Sequence, residues 1–234
     1  MNNSSPLISV ILSVRNNEST IIQACNSVLN QTYKNLELLI IDDFSEDSTL
    51  EKLKKISKND RRVKLHVNTK NIGLTKSLNK LVKLSRGELI ARQDADDESY
   101  PNRIFEQLKY LTLHKLDAVT SRALIMNTKK IIPGFSFYIP NSISMKFKNP
   151  FIHGTLMIKK NVIEEIGFYD ERFYYSQDFK LFLDLISSGY KVKNMNKVLY
   201  KLNMDNNISI SFKDEQKYYF NAALKGNDPA KTRN

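Results

Sequence analysis

With 234 residues, 41% of them hydrophobic and 26% charged, the chain can bury a sizeable core and reads as one globular domain, not as a disordered or fibrous protein. Its formal net charge of +11 and pI near 9.5 ask for an acidic partner, and a nucleic acid, an anionic membrane surface or a pyrophosphate-bearing substrate would each serve. The single cysteine, Cys25, excludes an internal disulfide framework, residues 1–6 lack the basic and apolar regions of a signal peptide, and no apolar run reaches membrane-spanning length, so the expectation is a cytoplasmic protein.

Residues 7–14 are apolar and β-branched and predict a buried first strand. Residues 15–19 break that pattern, and Ile21, Ile22, Cys25, Val28 and Leu29 recur at helical spacing, which predicts a helix to about Gln31 with Cys25 as a buried small hydrophobe. Residues 36–41 read as a second strand ending in Asp42-Asp43-Phe44-Ser45-Glu46-Asp47-Ser48, where Ser45 is expected to cap a helix bearing Leu50, Leu53 and Ile56. Residues 63–67 alternate and predict a third strand; Asn71-Ile72-Gly73 then turns into a helix through Leu74, Leu78, Leu81, Val82 and Leu84, closed by Gly87. A fourth apolar run from Leu89 ends in Arg92-Gln93-Asp94-Ala95-Asp96-Asp97. Successive strand–helix units imply a parallel sheet, which brings the polar turns after strands one, two and four to one edge.

In the second half, Pro101 opens a helix carrying Arg103, Ile104, Gln107, Leu108 and Leu111, and residues 117–126 look like another strand. Residues 127–149 lose all periodicity and read as a long functional loop. A short strand at 156–158, a helix from Gln177 to Ile186 stopped at Gly189, and a strand over 192–202 follow, then a tail with Phe212, Tyr218, Tyr219 and Phe220 among lysines.

Three carboxylates within four residues at a strand end are either a solvated acidic turn or a crowding of like charge that a divalent cation relieves; hard oxygen ligands suit Mn²⁺ or Mg²⁺, whose shells are completed by water and substrate phosphates. A nucleoside diphosphate is therefore the first ligand to consider; Arg15, Lys76, Arg92 and Arg103 are near the right edge to meet its charge, or each is a solvated surface charge. Asp42 and Asp43 could accept hydrogen bonds from a nucleobase imide or a ribose hydroxyl, or could only cap the next helix. Asp178 begins a helix in an aromatic setting that could tune a general base, or it is a helix-terminal charge. His153 is either a metal or substrate ligand or structural. Neither a dinucleotide-binding Gly-x-Gly-x-x-Gly nor a P-loop is present.

Ser9-Val10-Ile11 with Asn16, residues 39–49 around Asp42-Asp43, Asn71-Ile72-Gly73, Ala91-Arg92-Gln93-Asp94-Ala95-Asp96-Asp97 with Pro101 and Arg103, residues 153–158, residues 167–171 and Gln177-Asp178 together resemble glycosyltransferase family 2 over about residues 7–200. Gln177 stands where that family usually has Glu, and the Gln-x-x-Arg-Trp motif of processive synthases is absent. The resemblance implies a single GT-A, Rossmann-like α/β domain over 1–205 with a mixed, mostly parallel sheet flanked by helices. Its nucleotide half would cover about 7–100 and its acceptor half about 101–205, followed by a helical tail over 206–234.

It also implies metal-dependent, inverting transfer of one sugar, glucose or galactose, from a UDP-sugar. Asp43 would bind uracil with Asp42 in support, and Ser13, Arg15, Lys76, Asp94 and Ala95 would complete the nucleotide site. Asp96 would ligate Mn²⁺ or Mg²⁺, Asp178 would be the base, and Asp97, His153 and Gln177 would face sugar or acceptor. Short family members of this kind resemble bacterial O-antigen and capsule enzymes, implying a lipid-diphosphate-linked saccharide acceptor, peripheral contact with anionic membrane at the inner face of the plasma membrane, and no nucleic-acid partner. Two rival readings are a haloacid-dehalogenase-like phosphotransferase, which would want its Asp-x-Asp after the first strand, and a non-catalytic nucleotide-sugar or nucleic-acid binding module.

Overall fold

The computed structural model describes residues 5–204 and 212–229; the expected domain boundary at 205/206 lies outside the described residues. Strands β1 (Ile8–Val14), β2 (Leu36–Asp42), β3 (Val63–Val67) and β4 (Leu89–Arg92) alternate with helices α1 (Ile21–Leu29), α2 (Thr49–Asn59) and α3 (Leu74–Leu84). β5 (Glu98–Ser99), α4 (Arg103–Leu113), β6 (Ala118–Ile125), β7 (Ile131–Ile132), α5 (Asn141–Ser144), β8 (Met157–Lys159), α6 (Lys160–Glu165), α7 (Gln177–Ser187), β9 (Val192–Leu202) and α8 (Lys213–Lys225) follow. The strands form one sheet in the order β3-β2-β1-β4-β8-β6-β9-β5, with β7 attached to β6.

The first four strands are mutually parallel, β8 runs antiparallel between β4 and β6, and β6 and β9 are parallel, so the sheet is mixed with its longest ladders parallel. Burial on both faces explains why β1, β2 and β4 read as unbroken apolar runs, while β3, at the sheet margin, alternates. On α1, Ile21, Ala24, Cys25, Val28 and Leu29 face this core, and burial pushes the Cys25 thiol up to about 12, which makes it inert packing. α8 packs on α7 through Phe179 and Phe220, ring centroids 4.1 Å apart.

Three local expectations are corrected. Ser45 does not cap α2, which starts after Ser48; Ser45 instead accepts the Asn16 amide on its hydroxyl and donates its own amide to Asp42, so the turn after β2 is tied to the turn after β1. Gly87 does not close α3, which ends at Leu84 with Ser85 as its C-cap; it lies where the chain passes β1, and a Cβ there would sit 2.6 Å from the Ser9 amide nitrogen and 2.7 Å from the Leu7 carbonyl oxygen. Residues 127–149 are not a structureless loop, since they hold β7, a 3₁₀ turn at Phe135–Tyr138 and α5.

Ser9 links this crossing to a buried acid: its hydroxyl donates to Glu37 at 2.7 Å, and Arg86 closes on the same carboxylate through its backbone amide, Nε and Nη2. Gly87→Ala should therefore lower stability by about 1–3 kcal/mol, the usual cost of forcing volume into packed backbone. A lower midpoint of urea unfolding at unchanged slope would show it.

Candidate active site

The acidic edge is built on the end of β4. Gln93 is the internal brace of the turn that follows: its Nε2 donates to the carbonyls of Asp94 and Asp97, both at 3.0 Å, and its Oε1 accepts from Ser99 at 2.7 Å and from Arg103 at 3.2 Å. Arg103 is fully buried and donates also to the Arg92 carbonyl at 2.6 Å, Ser99 Oγ at 2.8 Å and Gln107 Oε1 at 2.9 Å, with its guanidinium 5.0 Å from the Tyr200 ring centre. Burial lowers its pKa to about 10, so it remains charged at neutral pH.

Arg92 is also buried; its Nη2 pairs with Asp94 Oδ1 at 2.5 Å and its Nη1 donates to the Gln93 carbonyl. The alternative that Arg92 and Arg103 are solvated surface charges is thus corrected, because both are buried and hydrogen-bonded inside the protein. The signal for this is spatial, since the partners Ser99, Gln107 and Tyr200 come from β5, α4 and β9.

Asp94, Asp96 and Asp97 stand together at this edge. Burial first, then the charges of Asp94 and Asp96, push the Asp97 carboxyl up to about 9, although its Oδ1 accepts the Asn203 amide at 2.7 Å. Burial and then Asp94 also raise Asp96. Tyr200, which sequence reasoning missed, accepts the Asp94 amide on its hydroxyl at 3.0 Å. Gly154 permits this closeness: a Cβ there would lie 2.6 Å from Asp94 Oδ2 and 2.7 Å from the Tyr200 hydroxyl.

The opposite wall comes from the second half of the chain. His153 Nε2 hydrogen-bonds the Tyr169 hydroxyl at 2.9 Å, and burial together with Arg92 lowers the imidazole to about 4 against the opposing pull of Asp178 and Asp94, so it is neutral. Tyr169 is raised by burial and feels the same three charges. The charges of Asp94, from the β4 turn, and of Asp178, from the first turn of α7, are thus both felt at His153 and Tyr169. Asp178 Oδ2 accepts from Asn149 at 2.8 Å, a partner with no local signal in the sequence. The preceding Ser176 is buried in the left-handed region at φ 53° and is held by Gln216 of α8 through its hydroxyl.

The remaining predicted residues fall less centrally. Asp43 takes three donors, Asn68 Nδ2 and the amides of Ile72 and Gly73, at 2.8–2.9 Å, and so anchors the loop before α3. Asp42 is buried, and its Oδ1 has no hydrogen-bond partner among the described residues. Ser13 is partly buried near the end of β1, and the Ala95 carbonyl accepts from Thr20 at 3.0 Å. Arg15 pairs with Glu46 at 3.2 Å on the rim, Lys76 is exposed on α3, and Gln177 opens α7 partly buried. Among the described residues no three His, Cys, Asp or Glu side chains form a complete metal cage. A crowded set of hard oxygen donors with an excess of negative charge fits an ion held by one or two carboxylates plus ligand phosphates.

Comparisons with known proteins bear on the family and the fold. A family model described as "Glycosyl transferase family 2" matches residues 9–168. The chain is 32% identical over 212 residues to a putative glycosyltransferase, EpsE, of Bacillus subtilis, covering 87% of this chain and 75% of that one. It is 36% identical over 186 residues to the O-antigen biosynthesis glycosyltransferase WbnJ of Escherichia coli, covering 77% and 72%. It is 30% identical over 195 residues to the Escherichia coli UDP-Glc:alpha-D-GlcNAc-diphosphoundecaprenol beta-1,3-glucosyltransferase WfaP, covering 82% and 75%. The fold matches S. aureus TarS in complex with UDP-GlcNAc at TM-score 0.77 and 19% identity, covering 94% of this chain and 67% of that one. It also matches a Pyrobaculum calidifontis mannosyltransferase in complex with GDP-Man and Mn²⁺ at TM-score 0.76 and 16% identity, covering 96% and 64%.

Because the folded-state pKa of Asp97 lies above that of an unfolded aspartate, its contribution to stability is full below about pH 4. That contribution is lost as pH rises toward about 9. In the presence of a chelator, the thermal midpoint should fall between pH 5 and 9, and Asp97→Asn, which keeps an acceptor for Asn203, should flatten that fall. A wild-type profile as flat as the variant's would contradict the buried-charge account.

Proposed function

The chain belongs to glycosyl transferase family 2 and is a glycosyltransferase of the GT-A fold, and on that premise we propose that it moves a single hexose, glucose or galactose, from a UDP-sugar to a hydroxyl of a lipid-diphosphate-linked saccharide in bacterial surface-polysaccharide synthesis. The observation that carries this reading is the acidic turn after β4, packed against the 153–154 turn through Gly154, with the charges of both Asp94 and Asp178 felt at His153. In this reading the acidic turn is the metal-suited side for a sugar diphosphate, and Asp178 is the carboxylate that serves the acceptor. The similarity to WfaP, whose name states a UDP-glucose donor and a diphosphoundecaprenol acceptor, supports the choice of donor and acceptor class.

In this proposal residues 7–100 hold the nucleotide and residues 101–205 the acceptor. Asp42 and Asp43 take the uracil, with Asp42 Oδ1 the acceptor still unpartnered among the described residues. Ser13, Arg15, Lys76 and Ala95 line the rest of the nucleotide, and Asp94, held by Arg92, meets ribose or sugar. Asp96 would hold Mn²⁺ or Mg²⁺. A bound divalent ion would neutralise the charge that develops on the departing diphosphate.

Asp178 accepts the proton of the acceptor hydroxyl as its oxygen bonds the anomeric carbon. The bond from that carbon to the diphosphate breaks on the opposite face, and the electron pair leaves with UDP, so configuration inverts. Asn149 fixes one oxygen of Asp178 and leaves the other for the proton. Asp97, His153 and Gln177 face sugar or acceptor. The net charge of +11 draws the protein to an anionic membrane at the cytoplasmic face, where such an acceptor resides.

Calorimetric titration of UDP in Mn²⁺ should give binding that Asp96→Ala or a chelator weakens by about ten-fold or more, roughly 1.4 kcal/mol per decade. Asp178→Asn should keep that binding and lower turnover by roughly 10²–10⁴-fold, as expected for a general base. Metal-independent binding that ignores Asp96→Ala would overturn the assignment of the acidic turn.

A further inference from the structure

Among the described residues, solvent-facing large apolar side chains are not spread evenly: Ile131, Phe135, Tyr138, Ile139, Ile143 and Phe147 fall in one short stretch, with Phe135 85%, Phe147 77% and Tyr138 67% exposed. Residues 127–149 also contain four lysines, Lys129, Lys130, Lys146 and Lys148, all exposed, and no Asp or Glu. The stretch is folded, because Pro133 and Met145 are buried and Arg122 donates to the Pro133 carbonyl at 3.1 Å with its guanidinium 5.4 Å from the Phe137 ring centre. Turn hydrogen bonds from the amides of Ile143, Lys146 and Phe147 keep its end compact. Its aromatic rings thus face water although their own backbone is well held, and scattered chance exposure does not produce such clustering.

We propose that residues 127–149 are a membrane-docking lobe, which seats Phe135, Tyr138 and Phe147 in the interfacial layer of an anionic bilayer and lays the four lysines on its headgroups. Aromatic rings belong at that depth, and cations of one sign beside them match anionic lipid. A charge-balanced protein surface would call for some acid in the stretch, and it has none. The lobe ends on Asn149, which holds Asp178, so docking would present a lipid-borne acceptor beside the carboxylate. That purpose, though not the docking itself, rests on the lipid-linked acceptor of the proposed function.

The test is flotation of the full chain with vesicles of phosphatidylcholine alone or mixed with phosphatidylglycerol, beside calorimetric titration of UDP. The wild type should float with the anionic vesicles only and release as salt is raised. Phe135→Ser combined with Phe147→Ser should weaken partitioning by roughly ten-fold or more, given the apolar area withdrawn, and leave UDP binding unchanged. Lys146→Gln with Lys148→Gln should reduce the salt dependence. No flotation at low salt, or variants that float like the wild type, would overturn the lobe whatever the UDP titration shows. Self-association lost in the double Phe variant, without vesicle binding, would assign the face to a second copy and also overturn it. Vesicle binding that follows the variants while UDP fails to bind would leave the lobe standing and sink the transfer reading.

Discussion

The acidic edge depends on two buried guanidinium groups. Arg103 belongs to α4, yet its donors end on the carbonyl of Arg92 and on Gln93, the residues that finish β4 and begin the acidic turn. Arg92 in turn grips Asp94. Burying a cation is tolerable only where its hydrogen bonds and counter-charges are supplied, and losing one partner of such a group typically costs about 3–5 kcal/mol. The same network that fixes the turn thus makes α4, outside the strand–helix repeat, indispensable to it. Three carboxylates crowd this turn, and burial first, then the neighbouring carboxylate charge, holds the Asp96 and Asp97 carboxyls above the usual carboxylate range. The fold carries an electrostatic deficit at the place where a cationic ligand would remove it.

The second constraint is close approach between the two halves of the chain. β8 pairs antiparallel with β4, which brings the 153–156 turn beneath the acidic turn, and Gly154 lets Asp94 and Tyr200 meet there without a side chain between them. On the other flank Gly73, at φ 85°, donates to Asp43 while the Tyr174 ring stands 3.5 Å from the position of a Cβ. Thr75 and Asn79 of α3 then reach the carbonyls of Phe173 and Tyr169. The segment leading to Asp178 is therefore moulded against the loop that anchors Asp43. α8 presses on it from outside through Gln216 and the ring contacts of Tyr219 and Phe212 with Tyr175. Ser176 can stay in the left-handed region because its surroundings over-determine it.

How much of this was legible in the sequence follows from the range of the interactions. β1, β2 and β4 and the helices between them were visible because double-sided burial writes an unbroken apolar run and single-sided burial a helical stripe. β5 and β7, two residues each, carry no period at all. Ser45 misled because Asx-type competition from Asp42 and the pull of Asn16 act from outside the helix it was expected to cap. Gly87 misled because a glycine needed for close packing and one needed for a helix end look alike until β1 is laid beside it. The acidic turn was readable as a cluster, whereas the burial of Arg92 and Arg103 was not, since the Tyr200 ring that packs on Arg103 and the Thr155 segment bonded to Gln107 lie far from the turn in sequence. Asn149 as the partner of Asp178 was hidden for the same reason.

The pair Asp42–Asp43 shows how stability and openness divide between neighbours. Asp43 accepts three hydrogen bonds and gains the usual strength of a carboxylate held by amides, so its position is set by the fold. Asp42 keeps one oxygen buried and unpartnered among the described residues, a state that costs about 1–3 kcal/mol unless a donor is provided. Both lie at the end of β2, beside β1 and on the same sheet edge as the carboxylates that follow β4. A native chain free of other demands could have relieved the orphan oxygen with a serine or an amide, as it did at Glu37 with Ser9 and Arg86. Asp42 Oδ1, one of five buried side-chain atoms without a partner among the described residues, and the crowded carboxylates after β4 thus lie at one sheet edge, while Glu37, a comparable buried acid, is fully satisfied.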